Sequence, residues 1–315
     1  MSKFQRSWEL FKSSLVVMRQ NRKLLVFPIL IACVTAFIAF LFMAGFALRP
    51  TGYSYTSPEH WKVIGHSVYA SDESVSTAGY HRHTRAEVAA NTNPVALAYF
   101  AVMYFVSMFV ATFLNVAFYQ QILNALVGQP VSMRAGLRFA ASKWKAILMW
   151  TLFAGAVGYV IHALEEKFGV VGQFIMRLLG TAWSIACVFV IPVIITDESA
   201  TNPVAVLKKS ALTLKQTWGE SLIGYSGVSI GSGLIMLISL VWLGVSVAIA
   251  LALNMWWLAI ASAVGWFITM LVLSYLTSIA SQIFRCALYL YATEGSLPAP
   301  YSEDMMRMAW KIKKA

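Results

Sequence analysis

The chain has 315 residues, 59% of them hydrophobic and only 12% charged, with mean hydropathy +0.69 and a net charge of +11. Soluble domains carry about twice that share of charge, so the composition excludes an ordinary soluble protein and predicts a polytopic membrane protein. Three cysteines in or beside apolar stretches (Cys33, Cys187, Cys286) exclude a disulfide framework and read as buried packing residues.

Residues 3–22 come first, with Phe4, Trp8, Phe11, Leu15 and Met18 stepping by four and three, the stripe of an amphipathic helix. The uncharged run 24–48 follows and predicts a first span. Its length, and the amphipathic segment before it, argue against a cleaved leader. Residues 49–94 form a long polar connection, expected to be extracytoplasmic and to offer a surface to a protein partner. Four of the five histidines lie there. His81 and His83 would share one face of a strand and so could ligate a divalent ion, although no established metal spacing is present. A solvated polar loop that happens to contain histidines is the favoured reading, and no cofactor is expected.

Apolar stretches predict further spans at 95–119, 146–164, 178–196, 221–243 and 256–283. Between the second and third, within 128–145, Met133, Leu137, Ala140 and Trp144 open a second helical stripe that continues to Ile147. Between the fourth and fifth, within 202–219, Val204, Leu207, Ala211, Leu214 and Trp218 give a third, with Lys208, Lys209 and Lys215 placed near headgroups or water. Asn202-Pro203 opens that helix, as Pro suits a first helical turn. Residues 298–315 form a tail with a partial fourth amphipathic pattern. The whole predicts an all-α integral membrane protein of six transmembrane helices, built as three repeats of interfacial helix plus hairpin.

Charge sets the orientation. With both termini cytoplasmic, the inner segments carry 18 of the 24 basic residues and 7 of the 13 acidic ones, and the outer segments balance at 6 and 6. That is the positive-inside pattern of a cell (inner) membrane protein. Basic side chains flanking spans meet anionic lipid headgroups, so the partner expected is the bilayer and not nucleic acid, despite a pI near 9.6.

Arg177 lies at the edge of the fourth apolar stretch. With His162 and Glu165 (Glu166 beside it) it makes a candidate intramembrane site, because a charge inside hydrocarbon is costly. The bland alternative starts the span just after Arg177 and lets its guanidinium reach the headgroups. Pro28 and Pro192 either kink their helices or mark ends. Gly227 and Gly231, four apart, suit close helix packing rather than a phosphate loop, since no strand and no Gly-Lys-Ser/Thr accompany them.

The segments RSWELFKSSLVVMRQNRKLLVFP (6–28) and VIPVIITDESATNPVAVLKKSALTLKQTWGE (190–220) resemble a family of uncharacterised prokaryotic membrane proteins, domain of unknown function 6159. Ser7, Trp8, Pro28, Pro192, Glu198, Ala205, Lys208, Ser210, Thr217, Trp218 and Gly219 carry the resemblance. It implies a polytopic fold and supplies no catalytic residue. No zinc-protease motif, nucleophile elbow or paired intramembrane aspartates occur, so the reading is a non-enzymatic scaffold that organises lipid or partners. The alternative is a transporter or channel for a small or apolar solute, whose path Asn115, Arg177 or Ser184 would line.

Overall fold

The computed structural model describes residues 3–66, 94–167, 170–198, 200–217 and 221–301, and these are helical without a strand. In chain order they form α1 (Lys3–Gln20), a 3-10 turn (Arg22–Leu25), α2 (Val26–Ala47), α3 (Pro58–His66), α4 (Pro94–Leu126) and α5 (Met133–Ser142). Then come α6 (Trp144–Lys167), α7 (Val170–Ala186), α8 (Val190–Thr196), α9 (Pro203–Thr217), α10 (Ser221–Ala252) and α11 (Trp256–Glu294).

Among the described residues, five stretches are long and apolar enough to cross a membrane: Arg22–Ala47, Pro94–Leu126, Trp144–Leu164, Phe174–Thr196 and Trp256–Glu294. A shorter apolar helical stretch, Ser239–Ala252, belongs to α10. The protein is therefore a multi-pass helical membrane protein.

Two helices are longer than a bilayer needs. α4 has 33 residues and α11 has 39. At 1.5 Å per residue they run roughly 50 and 58 Å, against about 30 Å of hydrocarbon. Their C-terminal parts hold most of their buried residues, from Leu114 to Leu126 and from Ile279 to Leu290. One contiguous core joins these ends to the start of α2 (Phe27), the start of α6 (Ile147, Trp150) and α8. Phe27 stacks on Phe118 with centroids 5.3 Å apart, and Phe189 packs on Tyr289 at 5.7 Å. The core thus sits at one end of the bundle. It is also the end where the basic residues of α1, α5 and α9 lie.

The opposite end is thinner. Phe42 and Phe46 of α2 meet Tyr99 of α4, whose hydroxyl donates to the Phe42 carbonyl at 2.6 Å. Gly155 of α6 lies against Phe105 of α4, so close that a Cβ there would sit 2.6 Å from the ring. The α10–α11 connection turns at Asn254, whose φ of 58° is a left-handed conformation that asparagine tolerates better than most residues. Cys33 is exposed on α2 and Cys187 is only half-buried, so the reading of all three cysteines as buried holds for Cys286 alone. Few neighbours cover α2 along its length, because its burial is concentrated at Phe27.

The two prolines behave alike. Pro28 and Pro192 each occupy the third residue of a helix, α2 and α8, after a non-α stretch. Proline has no N–H to give the carbonyl four residues back, and its ring crowds that carbonyl. The α-helix therefore breaks just before each one, at Arg22–Leu25 and at residues 187–189.

Candidate functional site

The break before α8 draws a buried polar side chain into the core. Val188 and Val190 make short 3-10-type bonds to Ile185 and Cys187, which leaves the Phe189 N–H and the Ala186 carbonyl without helical partners. Ser210 of α9, fully buried, takes both: its hydroxyl donates to the Ala186 carbonyl at 2.6 Å and accepts from the Phe189 N–H at 3.1 Å. The break before α2 is closed similarly, by the Tyr275 hydroxyl of α11 donating to the Leu25 carbonyl.

α8 ends at Asp197, and the surroundings of that end are built from three other helices. Lys143, in the α5–α6 junction, donates its ammonium to the Asp197 carbonyl at 2.9 Å, where a helix C-terminus favours positive charge. Lys209 of α9 pairs with the Asp197 carboxylate at 2.8 Å. The hydrogen bond to Asp197 raises the Lys209 pKa above its usual value. Lys209 is half exposed, so the pair is worth little as stability and acts mainly to hold register. Thr196 and the Tyr289 hydroxyl of α11 lie 2.7 Å apart. Asp197 and its neighbours thus join α8 to the α5–α6 junction, α9 and α11.

The lysines of α9 are exposed, as are Lys12 and Arg19 of α1 and Arg134, Arg138 and Lys145 near α5. Val204 and Leu212 share the exposed side of α9, whereas Val206, Ser210, Thr213 and Leu214 are buried. Leu207 and Ala211 are half-buried, and the Trp218 side chain lies outside the described residues. The buried face is therefore rotated about a quarter-turn from the apolar stripe, at 3.6 residues per turn. The reason is that α9 packs against α7, α8 and α11 together, and Ser210 is needed at the break. α1 shows the same offset: Ser13, Ser14, Val17 and Met18 are buried, and Val16 is exposed. In α5 the stripe is interrupted, because the helix stops at Ser142 and the exposed Trp144 begins α6.

Ser14 bonds to the Tyr301 hydroxyl at 2.8 Å, tying the segment after α11 to α1. Burial pushes the Tyr301 pKa up, so its stabilising contribution is fully present below the ordinary phenol value near 10 and declines as pH climbs from there toward the raised value. Wild type should therefore lose more unfolding temperature than Tyr301→Phe between about pH 9 and 11, as read by thermal scanning in nanodiscs.

Arg177 lies exposed in α7, seven residues after its start at Val170, and His162 lies exposed in α6, five residues before its end at Lys167. The Glu165 and Glu166 side chains lie outside the described residues, as do His81, His83, the side chains of Gly227 and Gly231, and the tail from 302. Among the described residues no cluster of three His, Cys, Asp or Glu could hold a metal. His60 has a structural task instead. Fully buried, it hydrogen-bonds the Thr51 hydroxyl at 2.6 Å and the Ala47 carbonyl at 2.9 Å, closing the end of α2.

A partly open, mostly apolar space of about 630 Å³ lies between α10 and α11, where Trp242, Leu243 and Met270 stand beside Ser239, Ser246 and Thr269. Asn115, Arg177 and Ser184 do not line it. Sequence patterning missed it because serine and threonine in a span read as neutral spacing.

The family described as "Family of unknown function (DUF6159)" matches residues 95–298, well over half of the chain. The chain belongs to that family. The DUF6159 match contains Ser210, Asp197, Pro192 and the α10–α11 space, and leaves α1 and α2 outside it. No curated protein and no solved structure matches the chain.

Proposed function

We propose that this DUF6159 protein is a non-enzymatic scaffold of the cell membrane that gathers anionic lipid headgroups on its basic end. In this reading it has six spans in three interfacial-helix-plus-hairpin repeats, both termini and the basic end face the cytoplasm, and a protein partner meets residues 49–94. The observation that carries it is the arrangement of α1, α5 and α9. Each turns part of its surface into the protein core and leaves Lys12 and Arg19, Arg134 and Arg138, or Lys208, Lys209 and Lys215 exposed. Trp144, also exposed, carries the Lys145 ammonium 5.9 Å from its ring, a pairing suited to the headgroup layer.

Two further observations support the repeat. α10 has 32 residues and contains the fifth apolar stretch, which gives it roughly 48 Å of helix, enough to cross. Aligning the stripes of α1 and α9, with Phe11 on Leu207 and Met18 on Leu214, places Ser14 on Ser210. Both serines are buried, and both bond outside their own helix.

A basic side chain near an anionic surface contributes about 1 kcal/mol. Replacing Arg134, Arg138 and Lys145 with glutamine should therefore weaken retention of phosphatidylglycerol roughly 100-fold at low salt, and less at high salt. Native mass spectrometry of protein released from mixed phosphatidylcholine/phosphatidylglycerol nanodiscs reads this directly. Equal retention by wild type and the triple variant would overturn the lipid reading.

A further inference from the structure

The end of α2 away from the basic end carries a small aromatic structure that the scaffold reading does not use. Residues 24–48 hold no charge, and Arg49 follows at once, its guanidinium 5.3 Å from the Phe46 ring. A charged group stays at headgroup level while apolar neighbours enter hydrocarbon, so the hydrocarbon edge falls close to Ala47 and Leu48. The chain turns back on that edge through α3. The fully buried His60 ring hydrogen-bonds the Ala47 carbonyl at 2.9 Å and the Thr51 hydroxyl at 2.6 Å. The Tyr55 hydroxyl donates to the Leu48 carbonyl at 3.3 Å.

These bonds fix two large rings at the level of the span end. Tyr55 and Trp61 meet the His60 ring edge-on, with centroids 4.9 and 5.2 Å away. Trp61 gives its indole N–H to the Tyr55 carbonyl at 3.0 Å, which leaves its apolar ring as the part it can offer outward. Tyr55 and Trp61 are each about half exposed, as is Tyr53 earlier in the same elbow. α3 is two-sided: His60 and Ile64 are buried, whereas Trp61, Lys62 and Val63 are exposed. Tyrosine and tryptophan rings are favoured where acyl chains meet headgroups, and a neighbouring lysine can reach outward from there. A protein partner arriving from water would meet these rings only by pressing into the headgroup layer.

We propose that the segment from Tyr53 to Val63 is an interfacial anchor that seats Tyr53, Tyr55 and Trp61 in the headgroup–acyl boundary of the bilayer at this end of α2. The assignment rests on α2 crossing the membrane, and it claims for lipid only the first part of the 49–94 connection. Its failure leaves the headgroup reading of the basic end untouched.

The test uses the full chain in phosphatidylcholine vesicles, with Cys33, Cys187 and Cys286 replaced and a nitroxide attached at Tyr53→Cys or Val63→Cys. Phe37→Cys, exposed in the middle of α2, gives the hydrocarbon reference. Oxygen concentrates in hydrocarbon and a water-soluble nickel chelate in solvent, so the relaxation each causes reports the depth of the label. Labels at 53 and 63 should lie within about 5–10 Å of the headgroup layer, and the label at 37 deeper. A second measurement keeps the elbow intact. The emission of Trp61 is taken as the difference between wild type and Trp61→Phe. Phosphatidylcholine brominated near the top of its acyl chains should remove most of that emission, and aqueous iodide should remove little. Labels at 53 and 63 that relax as in free solution, or Trp61 emission lost to iodide and kept in brominated lipid, would overturn the anchor. Emission untouched by either quencher would overturn it too, because the ring would then be covered by protein.

Discussion

Gly136→Ala is expected to destabilise the protein by about 2 kcal/mol, in the middle of the range for overpacking. The new Cβ would lie 2.8 Å from the Ala117 carbonyl oxygen and 3.0 Å from Gln121 Cγ. The first is backbone of α4 and cannot swing aside. The second belongs to a fully buried side chain whose Oε1 accepts the Ser132 N–H at 2.7 Å. Ser132 is the N-cap of α5, so any shift of α5 strains that bond and the start of the helix together. The effect is read as a lower unfolding temperature in nanodiscs, with Gly244→Ala as control. That glycine has nothing within 4 Å of an added Cβ and should change little.

The second large effect is expected from Ser210→Ala. It leaves the Ala186 carbonyl and the Phe189 N–H buried without their hydroxyl partner. Each such group costs about 1–3 kcal/mol, so a total near 3 kcal/mol is expected. The α7–α8 break should also become the first region to open, visible as faster hydrogen exchange at residues 187–190. Thr181→Ala is the matched comparison, because that hydroxyl only returns a bond to Arg177 on its own helix and is exposed. It should shift stability by less than about 0.5 kcal/mol.

These two residues show where sequence reading stops. Uncharged runs mark membrane helices clearly, because hydrocarbon tolerates so little charge, and the apolar stripes mark α1 and α9 as amphipathic. Stripes rank positions by hydrophobicity alone, however. Ser210 and Ser14 are buried because a neighbouring element offers them partners, and a partner more than 20 residues away in sequence leaves no periodic trace. Gly136 is similar: its meaning lies in how near Ala117 comes, which only the packed helices reveal. The extended ends of α4 and α11 were hidden for another reason. Their last turns mix Gln121, Asn124, Gln282 and Arg285 with apolar residues, which reads as the end of a span, yet these turns carry the core that joins α2, α6 and α8. Arg177 and His162 drew notice as charge in an apolar context, and both lie exposed within their helices, α7 and α6.

The central claim is that α9 turns its Val206–Ser210–Leu214 side into the protein core and presents the lysine-bearing side outward. A cysteine scan across residues 203–217 tests it most directly, in a background with Cys33, Cys187 and Cys286 replaced. Each variant is reacted with a water-soluble maleimide in reconstituted vesicles. Protection should fall at 206, 210, 213 and 214, with reaction at 204, 205, 208, 209, 212 and 215. Protection that follows 204, 207, 211 and 214 instead would place the apolar stripe in lipid and contradict the core.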